Sequence, residues 1–466
     1  MKYAAYGNYK SSASEWLGLV PSHWHVDRLK WSTAGCYNGV WGDEPNEIDD
    51  LICVRVADFD RDRFVVVSNP PTVRAIETAQ RRNRILQKND LLIEKSGGGE
   101  KQLVGCVVQF SENFPAVCSN FVARLPVSSG CDPRYLTYLH SAIYAARLNY
   151  PAIKQTTGIQ NLDSGEYLNI LAAYPPLDEQ QIIARFLDAK TAQIDELIAK
   201  KRLLIDKLKE KRQALIARTV THGLPPEAAK AAGLEPNPNP EMKDSGVDFL
   251  GVVPKTWNVV RLKHVLNAKK GAIKTGPFGS QLHGSEMLES EIKVFNQRTV
   301  IDRDISSGDN YISLEKFEEL KSFEVFPGDL LVTTRGTIGR CMVVPDGAEK
   351  GILHPCLMRL QLNKIHITDR YLELLIEESG YVIDQLRLMS NATTIEVIYS
   401  ESLKEVWLAV PPLNVQCKII EYLDRGASKL DALVERTVLA IARLTEYRQA
   451  LITSAVTGKI DVREVV

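Results

Sequence analysis

A long helical run that occurs twice constrains this chain more than any other feature. One copy fills residues 178–222 after Pro175-Pro176, and the other fills residues 413–457 after Pro411-Pro412. At a constant offset of 236, 20 of the 47 positions from Pro175 to Thr221 are identical, too many for two unrelated amphipathic helices. The match is densest at Arg212-Gln213-Ala214-Leu215-Ile216 against Arg448-Gln449-Ala450-Leu451-Ile452. Asp178, with Gln181 three residues on, predicts a capped start, and Asn414 is its equivalent. Gly223 with Pro225-Pro226 ends one copy, and Gly458 ends the other. Ile194, Leu197, Leu204, Leu208 and Leu215 form a heptad seam if Lys201 and Lys211 are counted in. Leu430, Leu433, Ala440, Leu444 and Leu451 form the second, interrupted at Thr437 and Tyr447. Each helix is roughly 65 Å long at the usual helical rise. A helix of that length with one apolar stripe and a charged outer face needs a partner along it, and its own duplicate is the expected one.

The start of each half repeats as well. Ser14-Glu15-Trp16-Leu17-Gly18-Leu19-Val20-Pro21, Trp24 and Arg28-Leu29-Lys30 return at offset 233 as Val247-Asp248-Phe249-Leu250-Gly251-Val252-Val253-Pro254, Trp257 and Arg261-Leu262-Lys263. The chain is therefore two tandem copies of one unit. The expected division is a first body over 1–177, a helix over 178–222 and an extended proline-rich linker over 223–245. A second body over 246–412, a helix over 413–457 and a tail over 458–466 follow. Apolar runs at 51–56, 63–67, 90–94 and 104–108 predict strands in the first body, and 134–149 predicts a helix. Runs at 293–295, 329–333 and 341–344, with a helix over 371–388, match them in the second. Both bodies carry Asp-Leu-Leu, at Asp90 and at Asp329, ahead of a glycine-bearing turn. The fold class is α+β: two duplicated mixed α/β bodies, each followed by a long helix. The two helices are expected to pair as an antiparallel coiled coil if a two-fold axis relates the halves.

A net charge of −1 over 466 residues excludes a uniformly basic nucleic-acid binder, so any such surface must come from local segregation of charge. No stretch reads as a membrane span, and Met1-Lys2-Tyr3 leads into polar residues rather than a signal peptide. The eight cysteines show no C-x-x-C spacing. Cys53, Cys106 and Cys341 read as buried free thiols of a cytoplasmic protein, and no metal site is expected.

No catalytic pattern stands out. Asn69-Pro70-Pro71-Thr72 lacks the aromatic residue of an adenine-methyltransferase motif, and no glycine-rich cofactor loop precedes it. The glycine runs at Ser96–Lys101 and Arg335–Gly339 do not fit a phosphate-binding P-loop. They suit binding instead, because backbone N–H groups and cations hold phosphates while amides and guanidinium groups read base edges. The DNA-binding candidates in the first body are the basic run Arg74, Arg81, Arg82 and Arg84, and the loop carrying Lys95, Ser96, Gly97, Lys101 and Gln102. In the second body they are Lys274, Thr275, Ser280 and Gln281, the pair Gln297 and Arg298, and Arg335 with Thr337. Each of these also fits a plain solvated turn when taken singly; their appearance in both bodies favours binding.

These residues resemble the specificity subunit of type I restriction–modification systems. The likeness rests on Met242-Lys243-Asp244-Ser245-Gly246 leading into Phe249-Leu250-Gly251, Pro254 and Trp257, and on Thr275-Gly276-Pro277-Phe278-Gly279-Ser280. It rests also on Gly328-Asp329-Leu330-Leu331-Val332 with Arg335-Gly336-Thr337-Ile338-Gly339, and on Pro-Pro-Leu before each long helix. Gln155-Thr156-Thr157-Gly158-Ile159-Gln160-Asn161-Leu162 looks like the segment that closes a target-recognition domain. The second half departs there, with Asn391-Ala392-Thr393-Thr394-Ile395. The resemblance implies a non-catalytic subunit whose two target-recognition domains read a split DNA sequence across a helical spacer. It implies two methyltransferase subunits and restriction subunits as partners, with S-adenosylmethionine, ATP and Mg on those partners and no cofactor in this chain. A single-chain methyltransferase or nuclease would need the cofactor loop that is missing, and a bare coiled-coil scaffold would leave the two diverged bodies without a purpose.

Overall fold

The computed structural model describes every residue except 1–2, 68, 100–101, 157, 235–240, 249, 289, 391–396 and 465–466. Lys101, Thr157 and the 391–395 stretch thus lie outside the described residues. The chain divides into two compact units, residues 1–202 with 438–466, and residues 203–437.

In the first unit a six-stranded sheet runs Tyr37–Asn38, Val122–Leu125, Leu91–Glu94, Val107–Gln109, Val65–Val66 and Phe59–Asp60. Its central strand is apolar at successive positions because both faces are covered. Leu91 and Ile93 enter one core, and Leu92 enters another. The second unit repeats this with Leu330 and Val332 on one side of Leu330–Thr333 and Leu331 on the other. Its four-stranded sheet runs Ile273–Thr275, Leu357–Leu360, Leu330–Thr333 and Cys341–Val343. The repeated Asp-Leu-Leu has a structural cause. Asp90 accepts from the backbone N–H of Gln87 at 2.6 Å and binds Arg124, while Asp329 accepts from Phe326 at 2.8 Å and faces Arg359. Each carboxylate closes a turn and neutralises an arginine from the neighbouring strand, which makes its burial tolerable.

The body helix of the first unit is Pro133–Ala145, with Asp132 as its cap. Its counterpart is not the single helix expected over 371–388. It runs Asp369–Glu373, widens into a π-turn over Leu374–Glu378, and restarts as Tyr381–Ser390. Gly380, at φ +73°, breaks it, since a left-handed residue cannot continue a helix.

The long helices run Leu177–His222 and Leu413–Val456. Asp178 and Asn414 are therefore inside the first turn rather than at the cap. The buried partner there is Glu179, which accepts from the Tyr6 hydroxyl, the Trp24 indole and His23. The seam also differs from the expected register. Leu197 is 43% exposed and Ile198 beside it only 8%, so the covered steps run through buried Ile194 and Ile198 to half-buried Lys201, Ile205 and Leu208. The second helix follows the same spacing through Leu430, Val434, Thr437, Ile441 and Leu444. Adjacent apolar residues at both places let pattern alone choose the wrong one. The linker differs too: Pro226–Ala231 is a short helix, with Pro226 at its first position and Glu-Ala-Ala-Lys behind it, and Met242–Asp244 is a strand paired with Val252–Pro254.

Each unit is closed by the last turn of the long helix that follows the other body in sequence. In the first unit Tyr135 donates to the carbonyls of Ala173 and Val456, at 2.8 and 3.2 Å. In the second Tyr371 donates to Ala409 and Val220, at 3.3 and 3.4 Å. Gly458 follows one last turn in a left-handed conformation, and a Cβ there would collide with Pro21; Gly223 follows the other and packs near Trp257.

Two buried glutamines lock the bodies to the helices. Gln180 accepts from the Asp132 N–H at 2.8 Å and donates to the Pro175 carbonyl at 2.9 Å. Gln416 makes the same bonds with Thr368 and Pro411, both at 2.9 Å. Gln180→Ala strands two backbone groups and is expected to cost about 1–3 kcal/mol, with Gln416→Ala costing the second unit a similar amount. Thermal melts of the full chain check this, and a Gln180→Ala melt identical to wild type would remove the amide from the role.

Candidate nucleic-acid interface

Three segments meet at one end of the main sheet in each unit. In the first, Asn38 pairs with Ala123 and Glu94 with Val122, so two parallel strands finish at the same end on either side of Val122–Leu125. The chain leaving Glu94 forms Ser96–Gly97, which pairs with Gln160 and Asn161 of the hairpin Ile153–Thr156 and Ile159–Leu162. Lys95 Nζ donates to Asn38 Oδ1 at 2.7 Å, and Ser96 Oγ donates to Asn161 Oδ1 at 2.6 Å. Arg84 Nε donates to the Asn38 carbonyl at 3.1 Å. Phe121, 44% exposed, accepts from the Lys95 N–H through its carbonyl. Cations, amides and one aromatic ring thus share a rim, the mixture that phosphate and base contacts require.

The loop rests on buried supports. Gln160 accepts from the Val104 N–H and donates to the Gly99 carbonyl. Below it Arg61 binds Glu94 at 2.7 Å. Burial raises the Glu94 carboxyl above its ordinary value, and Arg61 opposes that rise. With its amide oxygen turned toward Arg61, Gln102 accepts from it at 2.8 Å.

The basic run does not act as one patch. Arg74 binds Glu44 at 2.6 Å and lies over the Trp41 ring, while Arg81 holds Asp49 and the Ile76 carbonyl. Arg82 is exposed, and Arg84 alone of the four joins the rim.

In the second unit Thr275 pairs with Met358 and Thr333 with Leu357, which again brings two parallel strands to one end. Arg335 bridges to Val397, and Ile398 donates to the Thr334 carbonyl as Leu162 does to Lys95. The closing segment therefore regains its place just after the undescribed residues. Gln297 Nε2 donates to the Arg335 carbonyl, joining two candidate segments. Arg298, Arg335 and Thr337 are exposed. Lys274 lies 4.5 Å over the Phe323 ring. Gln281 accepts from the Phe278 N–H and so shapes its own turn; Ser280 is exposed beside it, and Phe278 is 76% exposed.

Asn38, Asn161 and Phe121 were not among the expected residues. One signal pointed to the first. Gly39 and Gly276 occupy the same place, each so close to a carbonyl, of Ser119 and of His354, that a Cβ would collide. Asn38-Gly39 and Thr275-Gly276 are thus equivalent corners. His354 is half-buried, and burial lowers its pKa.

Among the described residues no group of three or more His, Cys, Asp or Glu side chains forms a metal-ligand set, and no helix is long and apolar enough to cross a membrane. Cys53 and Cys106 are buried free thiols, each pushed up to about 11 by burial, and burial raises Cys341 well above the ordinary value.

Residues 62–207 and 254–437 match the family described as type I restriction modification DNA specificity domain. The type I restriction enzyme EcoBI specificity subunit of Escherichia coli is 22% identical over 355 residues, 74% of this chain and 70% of that one. The StySPI specificity subunit of Salmonella potsdam is 22% identical over 383 residues, 80% of this chain and 75% of that one. A structure from work on complex assembly and conformational transition of the type I R-M system superimposes with a TM-score of 0.66 at 16% identity, covering 94% of this chain and 98% of that one. The HsdS subunit from Thermoanaerobacter tengcongensis superimposes at 0.53 and 16% identity, covering 98% of this chain and all of that one.

Proposed function

The chain belongs to the type I restriction modification DNA specificity family, and we propose that its two units each read one part of a bipartite target on a single duplex. It is a DNA-recognition subunit and carries no chemistry of its own; methyl transfer and cleavage belong to partner subunits. One observation carries the two-headed reading. The same three segments meet at the same sheet end in both units, with different side chains at equivalent positions: Asn38 against Thr275, and Ser96 against Arg335. A shared scaffold with altered tips is how one fold reads two sequences.

Residues 1–177 and 246–412 are, on this reading, the target-recognition domains. The long helices form an antiparallel coiled coil that sets the gap between half-sites and docks two methyltransferase subunits, which restriction subunits join. Two contacts inside the second unit support the antiparallel sense. Arg212 of the first helix meets Asp431 of the second at 3.3 Å, and Leu215 of the first packs so close to Gly426 of the second that a Cβ there would collide. As numbering rises along one helix, its partner's falls. S-adenosylmethionine, ATP and Mg are assigned to the partner subunits.

The test is to express the chain with a methyltransferase subunit of its own system and map methylated adenines in cellular DNA. A split, asymmetric motif with a fixed gap is expected. A single uninterrupted motif would mean that only one unit reads.

A further inference from the structure

Arginine pairing in the second body is almost complete. From Arg261 to Arg387 every arginine but one meets a carboxylate, with Arg303 and Arg340 at Glu377 and Arg359 at Asp329 among them. Arg335 alone, among the described residues, has none. Its backbone is nonetheless fixed on three sides. Gln297 donates to its carbonyl, Val397 bridges to it, and Gly336 turns the chain away at φ +64°. A rigid backbone thus presents an exposed, uncommitted guanidinium at the sheet end where the three segments meet. That group offers parallel N–H donors in a fixed fork, and the matching acceptor pair in the major groove is N7 and O6 of guanine. In the first unit the equivalent residue is Ser96, whose hydroxyl is already bound to Asn161 and carries no such fork.

We propose that Arg335 is the residue by which the second unit selects a guanine in its half of the target. This rests on the DNA-reading role proposed above. The guanidinium donates to both acceptors of one base through a rigid fork, which the flexible ammonium of lysine reproduces only in part.

The test uses the full chain and a pool of randomised DNA duplexes, sequenced after selection with wild type, Arg335→Ala and Arg335→Lys. Wild type is expected to enrich two half-sites, one of which requires a guanine. In Arg335→Ala that preference falls about tenfold or more while the remaining positions of the same half-site keep theirs, which also shows that the second unit is folded. Arg335→Lys is expected to restore the guanine preference only in part, with no other base preferred there. Two results overturn the assignment and leave the DNA-reading role standing. One is unchanged base preference at every position. The other is a uniform loss of affinity that lysine restores, with the salt slope lower by about one, which marks a phosphate contact. A wild-type chain that enriches no sequence overturns the DNA-reading role and this assignment together.

Discussion

Exchanging residues 31–174 for the corresponding body of a relative with a different target is expected to rewrite one half of the methylated sequence and leave the other half unchanged. The first unit's sheet end, with Asn38, Lys95, Ser96 and Asn161, lies wholly inside the exchanged segment. The second unit is built from residues 203–437 and loses nothing. A mismatched base pair costs roughly 1–3 kcal/mol, so three changed positions remove the original half-site from detectable methylation. The donor must keep the residues that fasten a body to its helices. Arg134 binds Asp188 at 2.6 Å, Tyr135 reaches the carbonyls of Ala173 and Val456, and the Asp132 N–H meets Gln180. A donor lacking these fails to fold rather than changing target, and a thermal melt separates the two outcomes. Methylation mapping decides the rest: if both halves changed together, the bodies would not be independent readers.

The tandem repeat and the long helices were legible because duplication and heptad spacing leave marks that need no neighbour to interpret. The central strands were legible for a similar reason, since Leu91-Leu92-Ile93 and Leu330-Leu331-Val332 are apolar at every step. Val122–Leu125 and Leu357–Leu360 were not read as strands, because each contains an arginine. Only the fold shows Arg124 meeting Asp90 and Arg359 facing Asp329. The seam was misjudged by one residue at alternate steps, since Leu197-Ile198 and Leu204-Ile205 offer two apolar choices and packing alone selects between them. The break at Gly380 was equally hidden, as a single glycine in an apolar stretch says nothing about its φ.

At the sheet ends, sequence found the loops but could not sort their side chains. Arg74 and Arg81 look as available as Arg84 in a linear string. Their carboxylate partners, Glu44 and Asp49, lie some thirty residues away in the chain, and the distance across the fold is what consumes them. Asn38 and Asn161 escaped because each lies in a short strand with no charge or glycine run beside it. Their role emerges only where Lys95 and Ser96 reach them.

The largest geometric change comes from lengthening both long helices together. The boundary between the two compact units falls after Arg202 in one helix and after Thr437 in the other. Seven residues inserted at each point leave every contact within either unit in place. On the proposed coiled-coil pairing, a heptad keeps the seam of each helix facing the same way, because it preserves the alternating three- and four-residue steps. Seven residues add roughly 10 Å of helix, room for about three more base pairs between the half-sites at the spacing of B-DNA. The accompanying turn of the duplex changes which groove each unit faces, so a shift of two to four base pairs is the expected range. Extending one helix alone has a different outcome. On the proposed pairing one side of the seam would slide seven residues past the other, so that variant is expected to lose methylation outright. Mapping methylated sites for the three proteins gives the answer. An active doubly extended chain that kept its original gap would mean that something other than the helices sets the spacing.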